Sequence, residues 1–264
     1  MDLQLTDKTA LVTGSTAGIG FAIASLLAQE GASVVLNGRS RQRVEQAVER
    51  IRTEAKNAQV RGVAADLGTK EGVNRLTRDL PAVDILVNNL GIFEPKPFPD
   101  IPDEDWQRFF EVNVLSGVRL SRFYLPQMLQ KNWGRMVFIS SESGVNIPVE
   151  MVHYGVTKTA QIALARGLAE GTAGTGVTVN SVLPGPTRSE GAGRFLEDLA
   201  KGQGTDAARV EAEFFRTARP SSLLKRFATP EEVAAMVVYV CSPRASGTIG
   251  SALRVDGGVV RSIV

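Results

Sequence analysis

Short apolar runs rich in β-branched residues recur at Thr9 to Thr13, Ser33 to Leu36, Val60 to Ala64, Ile85 to Val87, Arg135 to Ile139, Val177 to Val182 and Ala252 to Val255. Runs of this length, bounded by polar or glycine-containing segments, predict seven β-strands. Between them apolar residues recur at helical spacing over Phe21 to Glu30, which Gly31 ends, and over Arg41 to Ala55, Asp103 to Gln130, Met151 to Ala169 and Pro230 to Val240. Strand and helix alternate, which predicts an α/β fold: a doubly wound parallel seven-stranded sheet with helices on both faces, in a single domain over residues 1–264. Ligands of such sheets gather outside the carboxyl ends of the strands, so the chemistry is expected there. No internal repeat, low-complexity tract or linker interrupts the pattern. The one long irregular stretch, 188–228, separates the sixth and seventh strands, and its length predicts a substrate-binding loop or lid.

Composition narrows the partners. With 43% apolar residues in 264, one large core can be filled. The 30 basic and 28 acidic residues leave a formal charge of +2, no field that would draw nucleic acid or an anionic membrane, so the expected partner is a small molecule. The single cysteine, Cys241, forms no intrachain disulfide, and a reducing cytoplasm fits. Met1 to Lys8 is polar, and no window reaches about 18 apolar residues, so neither export nor membrane insertion is expected.

The first strand runs into Gly14, Ser15, Thr16, Ala17, Gly18, Ile19 and Gly20, where the first helix opens. Glycines at a strand-to-helix turn allow close backbone approach, and the helix N-terminus offers free N–H groups to a pyrophosphate. The spacing is GxxxGxG, and a purely structural glycine turn is the alternative. The second strand ends at Leu36, Asn37, Gly38 and Arg39, where dinucleotide folds place the group that meets the adenosine ribose. An acidic residue there would accept from a 2′-hydroxyl; Arg39, with Arg41 and Arg43 behind it, suits a 2′-phosphate instead. The preferred cofactor is therefore NADP(H), with NAD(H) the alternative if these arginines only solvate a helix start. Asp66 after the third strand is placed to accept from an adenine amino group or to cap a helix.

Tyr154 and Lys158, four apart in a helical segment, share one face. A fixed ammonium beside a phenol favours the phenolate, and the tyrosine can then exchange a proton with a substrate oxygen. Ser140 and Ser141 end one strand, and Asn88, Asn89 and Asn113 lie at or beyond the end of another; such groups polarise a carbonyl and hold ordered water, or serve as turns and caps. His153 is the one histidine, so neither a histidine metal cluster nor a hydrolase triad has its parts; no metal is expected, and His153 is expected to pack or to touch substrate.

Together these motifs resemble the short-chain dehydrogenase/reductase family, whose fold is Rossmann-like, over nearly the whole chain. The residues that bear the likeness are Thr13 to Gly20, Asp66, Asn88 to Gly91, Asn113, Ser141, Tyr154 with Lys158, Pro184 to Thr187, and Asp256, Gly257 and Gly258. The resemblance implies that Tyr154 is the proton donor in reduction, that Ser141 orients the substrate oxygen, and that Lys158 holds the nicotinamide ribose and lowers the tyrosine pKa. It implies that Asn113 binds a relay water, and that Pro184, Gly185 and Thr187 line the nicotinamide. Asn88 would stiffen the sheet beside it, Gly91 would belong to the same segment, and Asp66 with Leu67 would meet adenine. Two departures stand out: Leu90 replaces the family's usual alanine, and Ala17 stands where many NADP(H) members have a basic residue.

The expected reaction is reversible reduction of a ketone or keto ester to a secondary alcohol by hydride transfer from nicotinamide. The compact form, the late helix opening at Thr229 to Glu232 and the Asp-Gly-Gly ending also resemble 3-oxoacyl-[acyl-carrier-protein] reductases, a second reading that calls for a basic patch at the site entrance. A nucleotide-binding sensor without catalysis would be expected to lack Tyr154 or Lys158. The pocket is expected from Glu142 to Val152 and from the lid, whose Glu190, Arg194, Glu197, Asp198, Lys201 and Arg209 mix signs and whose Phe214 and Phe215 suggest an apolar wall. The family commonly forms homotetramers through the helices after Asp103 and Met151 and the last strand.

Overall fold

The computed structural model describes residues 1–55, 58–189, 193, 200, 202 and 205–263. Seven strands form one sheet: β1 (Thr9–Val12), β2 (Ser33–Gly38), β3 (Val60–Ala64), β4 (Ile85–Asn88), β5 (Gly134–Ile139), β6 (Val177–Pro184) and β7 (Ala252–Val255). Their order is β3-β2-β1-β4-β5-β6-β7, and every pairing is parallel. The chain winds outward from β1 to β3 and returns to β4 beside β1, so the winding direction reverses between those two strands, in register Val12 with Val87. A crevice at the carboxyl ends follows from that reversal, and it sets Thr13 and Gly14 against Asn88 and Leu90.

Alternation along the strands feeds two cores. Ala10, Val12, Val34, Leu36, Val87, Val137, Ile139 and Val182 point to one face, where α1 (Gly18–Gln29), α2 (Arg41–Glu54) and α8 (Pro230–Cys241) cover them. Leu11, Val35, Leu86, Met136, Phe138, Val177 and Val179 point to the other, beneath α3 (Lys70–Asp79), α5 (Ser116–Gln130) and α6 (Val152–Glu170). Helix starts follow the capping residues: Ser40 accepts from Arg43 N, Thr69 from Gly72 N, and Thr229 with Glu232 closes a capping box behind Pro230.

The predicted strands lie where the pattern puts them, with β2 and β6 each running two residues further. The single helix expected over 103–130 is instead α4 (Asp103–Phe110), a π-helical turn (Glu111–Leu115) and α5. A wider turn of this kind is common at functional sites. Here it contains Asn113, which is 1% exposed. Helix α3 escaped the apolar pattern because its buried face is only Val73, Leu76 and Thr77. Within 188–228, α7 (Ala207–Thr217) packs Phe214 and Phe215 against Phe227, so the paired phenylalanines form a satellite core of their own. Glu190, Arg194, Glu197, Asp198 and Lys201 lie outside the described residues.

Candidate active site

The glycine turn is shaped by close approach. Gly14 and Gly18 adopt left-handed φ values of 59° and 56°, which side chains rarely accept. A Cβ on Gly20 would lie 2.4 Å from Asn89 Nδ2 and 2.6 Å from Gly14 O. Asn89 braces the turn by donating from Nδ2 to Thr13 O at 2.9 Å and Gly14 O at 3.0 Å. Thr13 Oγ1 accepts from the amides of Asn89 and Leu90, both at 2.9 Å. Leu90 faces the turn, its Cδ1 3.5 Å from where a Gly14 Cβ would be. Ser15 belongs to the frame: its hydroxyl donates to Val12 O and accepts from Asn37 N, and its amide donates to Asn37 O. No local pattern announces the role of Asn37, whose Nδ2 ties β2 to Val63 O and Ala65 O.

Whether a dinucleotide fits can be judged from this cradle. Ala17, the residue before helix α1, supplies no side-chain cap and the first turn holds no acidic residue, so the N-terminal amides face the turn without a competing carboxylate. The missing side chains at Gly14 and Gly18 leave the backbone bare for close approach. Thr16 packs at Gly38, where a Cβ would come within 2.6 Å of its methyl. At the ends of β2 and β3, Arg39 is exposed, Leu67 is buried, and Asp66 Oδ1 accepts from Gly68 N at 3.0 Å while Thr69 caps α3. The residues fit a nicotinamide dinucleotide laid across the carboxyl ends of β1 to β4.

The catalytic candidates converge beyond β4, β5 and β6. Ser141 lies two residues beyond β5, and its Oγ accepts from Ser143 N at 3.1 Å. Ser140 Oγ donates to Lys158 O at 2.8 Å, pinning α6 to that strand end. Lys158 Nζ lies 5.5 Å from the Tyr154 ring centroid. Burial pushes the Tyr154 hydroxyl up to about 12; a hydrogen bond with Ser141 works against the rise, Glu142 adds to it and Arg219 opposes it. Burial pulls Lys158 down to about 7. Its Nζ donates to Ile139 O at 3.0 Å and Gln161 Oε1 at 3.1 Å, bonds that a neutral amine makes as well as an ammonium. The phenol in this structure is thus held protonated, whereas the i, i+4 spacing alone suggested that the lysine would lower it.

Asn113 is engaged on every side: Oδ1 accepts from Ile92 N at 2.7 Å, Nδ2 donates to Ile92 O and Thr157 Oγ1 at 3.0 Å each, and its carbonyl accepts from Gln161 Nε2 at 2.5 Å. Asn88 Nδ2 donates to Ser121 Oγ at 3.4 Å, while its buried Oδ1 has no partner. Pro184 to Thr187 is braced beside these groups: Gly185 N donates to Val255 O, and a Cβ on Gly185 would lie 2.5 Å from Asp256 O. Thr187 Oγ1 donates to Gly185 O at 2.9 Å. His153 is fully buried, its ring 4.0 Å from that of Phe109, and burial lowers its pKa. Among the described residues no group of three or more His, Cys, Asp or Glu side chains is arranged to hold a metal.

One feature no local motif announces lies beside Tyr154. Glu142 is buried directly after Ser141, and its Oε1 accepts from Arg219 Nε at 2.9 Å; Arg219 Nη1 reaches Glu150 Oε1 at 3.1 Å. Glu142 Oε2 is buried without a partner. Burial alone would lower the guanidinium, but the two carboxylates outweigh it and raise the Arg219 pKa. The two segments expected to form the pocket thus meet in an ion pair.

A parallel sheet with a glycine cradle at its switch point and a tyrosine–lysine pair beside a serine defines a nicotinamide-dependent oxidoreductase. The sequence pattern of the short chain dehydrogenase family matches residues 8–200, and the chain belongs to that family. It is 51% identical, over the full length of both chains, to the uncharacterized oxidoreductase YvaG of Bacillus subtilis. It is 34% identical to the 3-oxoacyl-[acyl-carrier-protein] reductase FabG of Aquifex aeolicus, over 98% of this chain and all of that one. Among solved structures, an L-sorbose reductase from Gluconobacter frateurii, complexed with NADPH and L-sorbose, superposes with a TM-score of 0.92 at 32% identity, covering all of both chains. The protein is accordingly a short-chain oxidoreductase acting on CH–OH or C=O groups with a nicotinamide acceptor or donor. Among the described residues no helix is long and apolar enough to cross a membrane.

Proposed function

We propose that the protein reduces a ketone or keto ester to a secondary alcohol, reversibly, with NADPH as hydride donor and Tyr154 as proton donor. The observation that carries this reading is the convergence of Tyr154, Ser141 and Lys158 beyond β5, with Lys158 Nζ 5.5 Å from the Tyr154 ring centroid and held by Ile139 O. The bound dinucleotide supplies the hydride to the carbonyl carbon. Ser141 donates to the substrate oxygen and orients it, and Tyr154 gives that oxygen its proton as negative charge develops. With its pKa raised, the phenol carries its proton at neutral pH and has it available to give. Lys158, when protonated, would offer its third donor to the cofactor ribose, and Asn88, whose Nδ2 donates to Ser121 Oγ, would stiffen the end of β4.

Arg39 supports the preference for NADPH: it is exposed at the end of β2, and no carboxylate among the described residues pairs with it. Solved relatives bound to NADPH or NADP point the same way. The stretch 188–228, with α7 and its aromatic cluster, acts as the lid. Beside Tyr154 two carboxylates, Glu142 and Glu150, meet one guanidinium, Arg219, a grouping that lends no support to the basic patch a carrier protein would seek. A cytoplasmic homotetramer is the assembly we propose, checked by light scattering of the purified chain.

Nicotinamide absorbance tests the function: NADPH and NADH are each mixed with simple ketones, keto esters and an acetoacetyl thioester. Oxidation of NADPH by ketones or keto esters that Tyr154→Phe abolishes is the expected result. Turnover confined to the thioester would replace this reading with the acyl-carrier one, and binding of nucleotide without any turnover would overturn both. Arg39→Ser is expected to raise the KM for NADPH at least about 10-fold while sparing NADH, as loss of a charge-assisted phosphate contact requires.

A further inference from the structure

Gln161 stands one turn beyond Lys158 on α6, is 2% exposed, and has no part in the reaction as described. It joins two groups that do. Its Nε2 donates to the Asn113 carbonyl at 2.5 Å, and its Oε1 accepts from Lys158 Nζ at 3.1 Å. A carbonyl can only accept, so the amide has one orientation and its oxygen must face the amine. With Ile139 O at 3.0 Å, two of the donors on Nζ are fixed by the protein. A Cβ on Gly91 would lie 3.4 Å from Nζ and 3.5 Å from Asn113 Oδ1, so the missing side chain leaves that side open to a ligand.

We propose that Gln161 is a positioning residue for the Tyr154–Lys158 pair: it ties the Lys158 amine to the π-helical turn through the Asn113 carbonyl. The inference rests on Lys158 acting in the reaction. An apolar residue at 161 would leave a buried amine and a buried carbonyl each short of a partner, and the amine would turn or draw in water. The titratable groups nearby are Tyr154 on the same helix, Glu142 on the turn after β5, and Arg219 after α7; Glu94, Lys96, Asp105 and Arg108 bear on His153 instead. None of these charges moves Lys158, for which burial is the whole cause, so a change of the acceptor at 161 should be read directly at the amine.

Two variants and two readouts test this. In cofactor-free protein the Lys158 Cε resonance, identified by its loss in Lys158→Met, is titrated by NMR; kcat and KM for a ketone are then measured against pH with NADPH. Gln161→Met is expected to move the titration downward and to cut kcat about 10-fold or more, with KM changed less than about threefold, because geometry rather than binding is lost. Gln161→Glu puts a carboxylate on the amine and is expected to raise the titration by about one unit or more and to carry the kcat profile with it. If both variants only lower the melting temperature, with the Lys158 titration and the kcat profile unmoved, Gln161 is a structural brace and the proposal fails. If the wild-type protein binds NADPH but reduces no ketone, the proposed function fails while the resonance still decides the role of Gln161.

Discussion

Arg219→Met isolates the ion pair beside Tyr154. The Glu142 and Arg219 side chains are 4% and 9% exposed and meet at 2.9 Å, and Glu142 already has one buried oxygen without a partner. Removing the guanidinium leaves a buried carboxylate with neither counter-charge nor donor, a change that costs about 3 to 5 kcal/mol for a pair buried to this degree. Glu150, 44% exposed, keeps its solvent and adds little. Replacing both partners, Glu142→Gln with Arg219→Met, should recover most of that loss, since no unpaired charge remains. Urea unfolding of the cofactor-free single and double variants completes a double-mutant cycle, with a coupling energy of about 2 kcal/mol or more expected. Function should follow: Arg219 opposes the rise of the Tyr154 pKa and Glu142 promotes it, so the single variant makes the phenol a weaker acid and slows reduction, and the double variant recovers in part. A single variant that loses less than about 1 kcal/mol, with no coupling in the cycle, would refute the argument that this pair is desolvated and interdependent.

Gly20→Ala should destabilise by about 2 to 4 kcal/mol, because its Cβ would displace Asn89 Nδ2 and cost the bonds to Thr13 O and Gly14 O; thermal melting and NADPH titration check it, and unchanged nucleotide affinity would count against the cradle. Tyr124→Phe should cost about 1 to 3 kcal/mol, since the buried hydroxyl donates to Leu80 O at 2.7 Å and its loss orphans that carbonyl; denaturant unfolding reads the difference. Lys158 titrates near 7 when folded against 10.5 ordinarily, so the unfolded chain binds more protons between those values and stability of the cofactor-free protein should rise with pH there. Cys241, raised to about 12 from 9.0, pulls the other way above pH 9, so the clean window is pH 7 to 9; Lys158→Met should flatten the slope within it.

What the sequence determined by itself was whatever depends on neighbours along the chain. The alternation of Ala10, Leu11 and Val12 shows a strand buried on both faces, Gly14 to Gly20 shows a turn that tolerates no side chains, and the spacing of Tyr154 and Lys158 puts them on one helical face. Each signal lies within a few residues of what it predicts, and short-range geometry fixes it. Tertiary structure decided the rest. The Glu142–Arg219 pair joins residues 77 apart, and Gln161 reaches Asn113 across 48. Asn89 looked like part of a cofactor segment and proves to hold the glycine turn, while Ser15 spends its hydroxyl on β1 and β2. The π-helical turn at Glu111–Leu115 left no mark on the apolar spacing, because its neighbours remain helical on both sides. The proton affinity of Tyr154 depends first on how deeply the fold desolvates it and then on Ser141, Glu142 and Arg219, and burial is a property of the whole packed chain that no local pattern records.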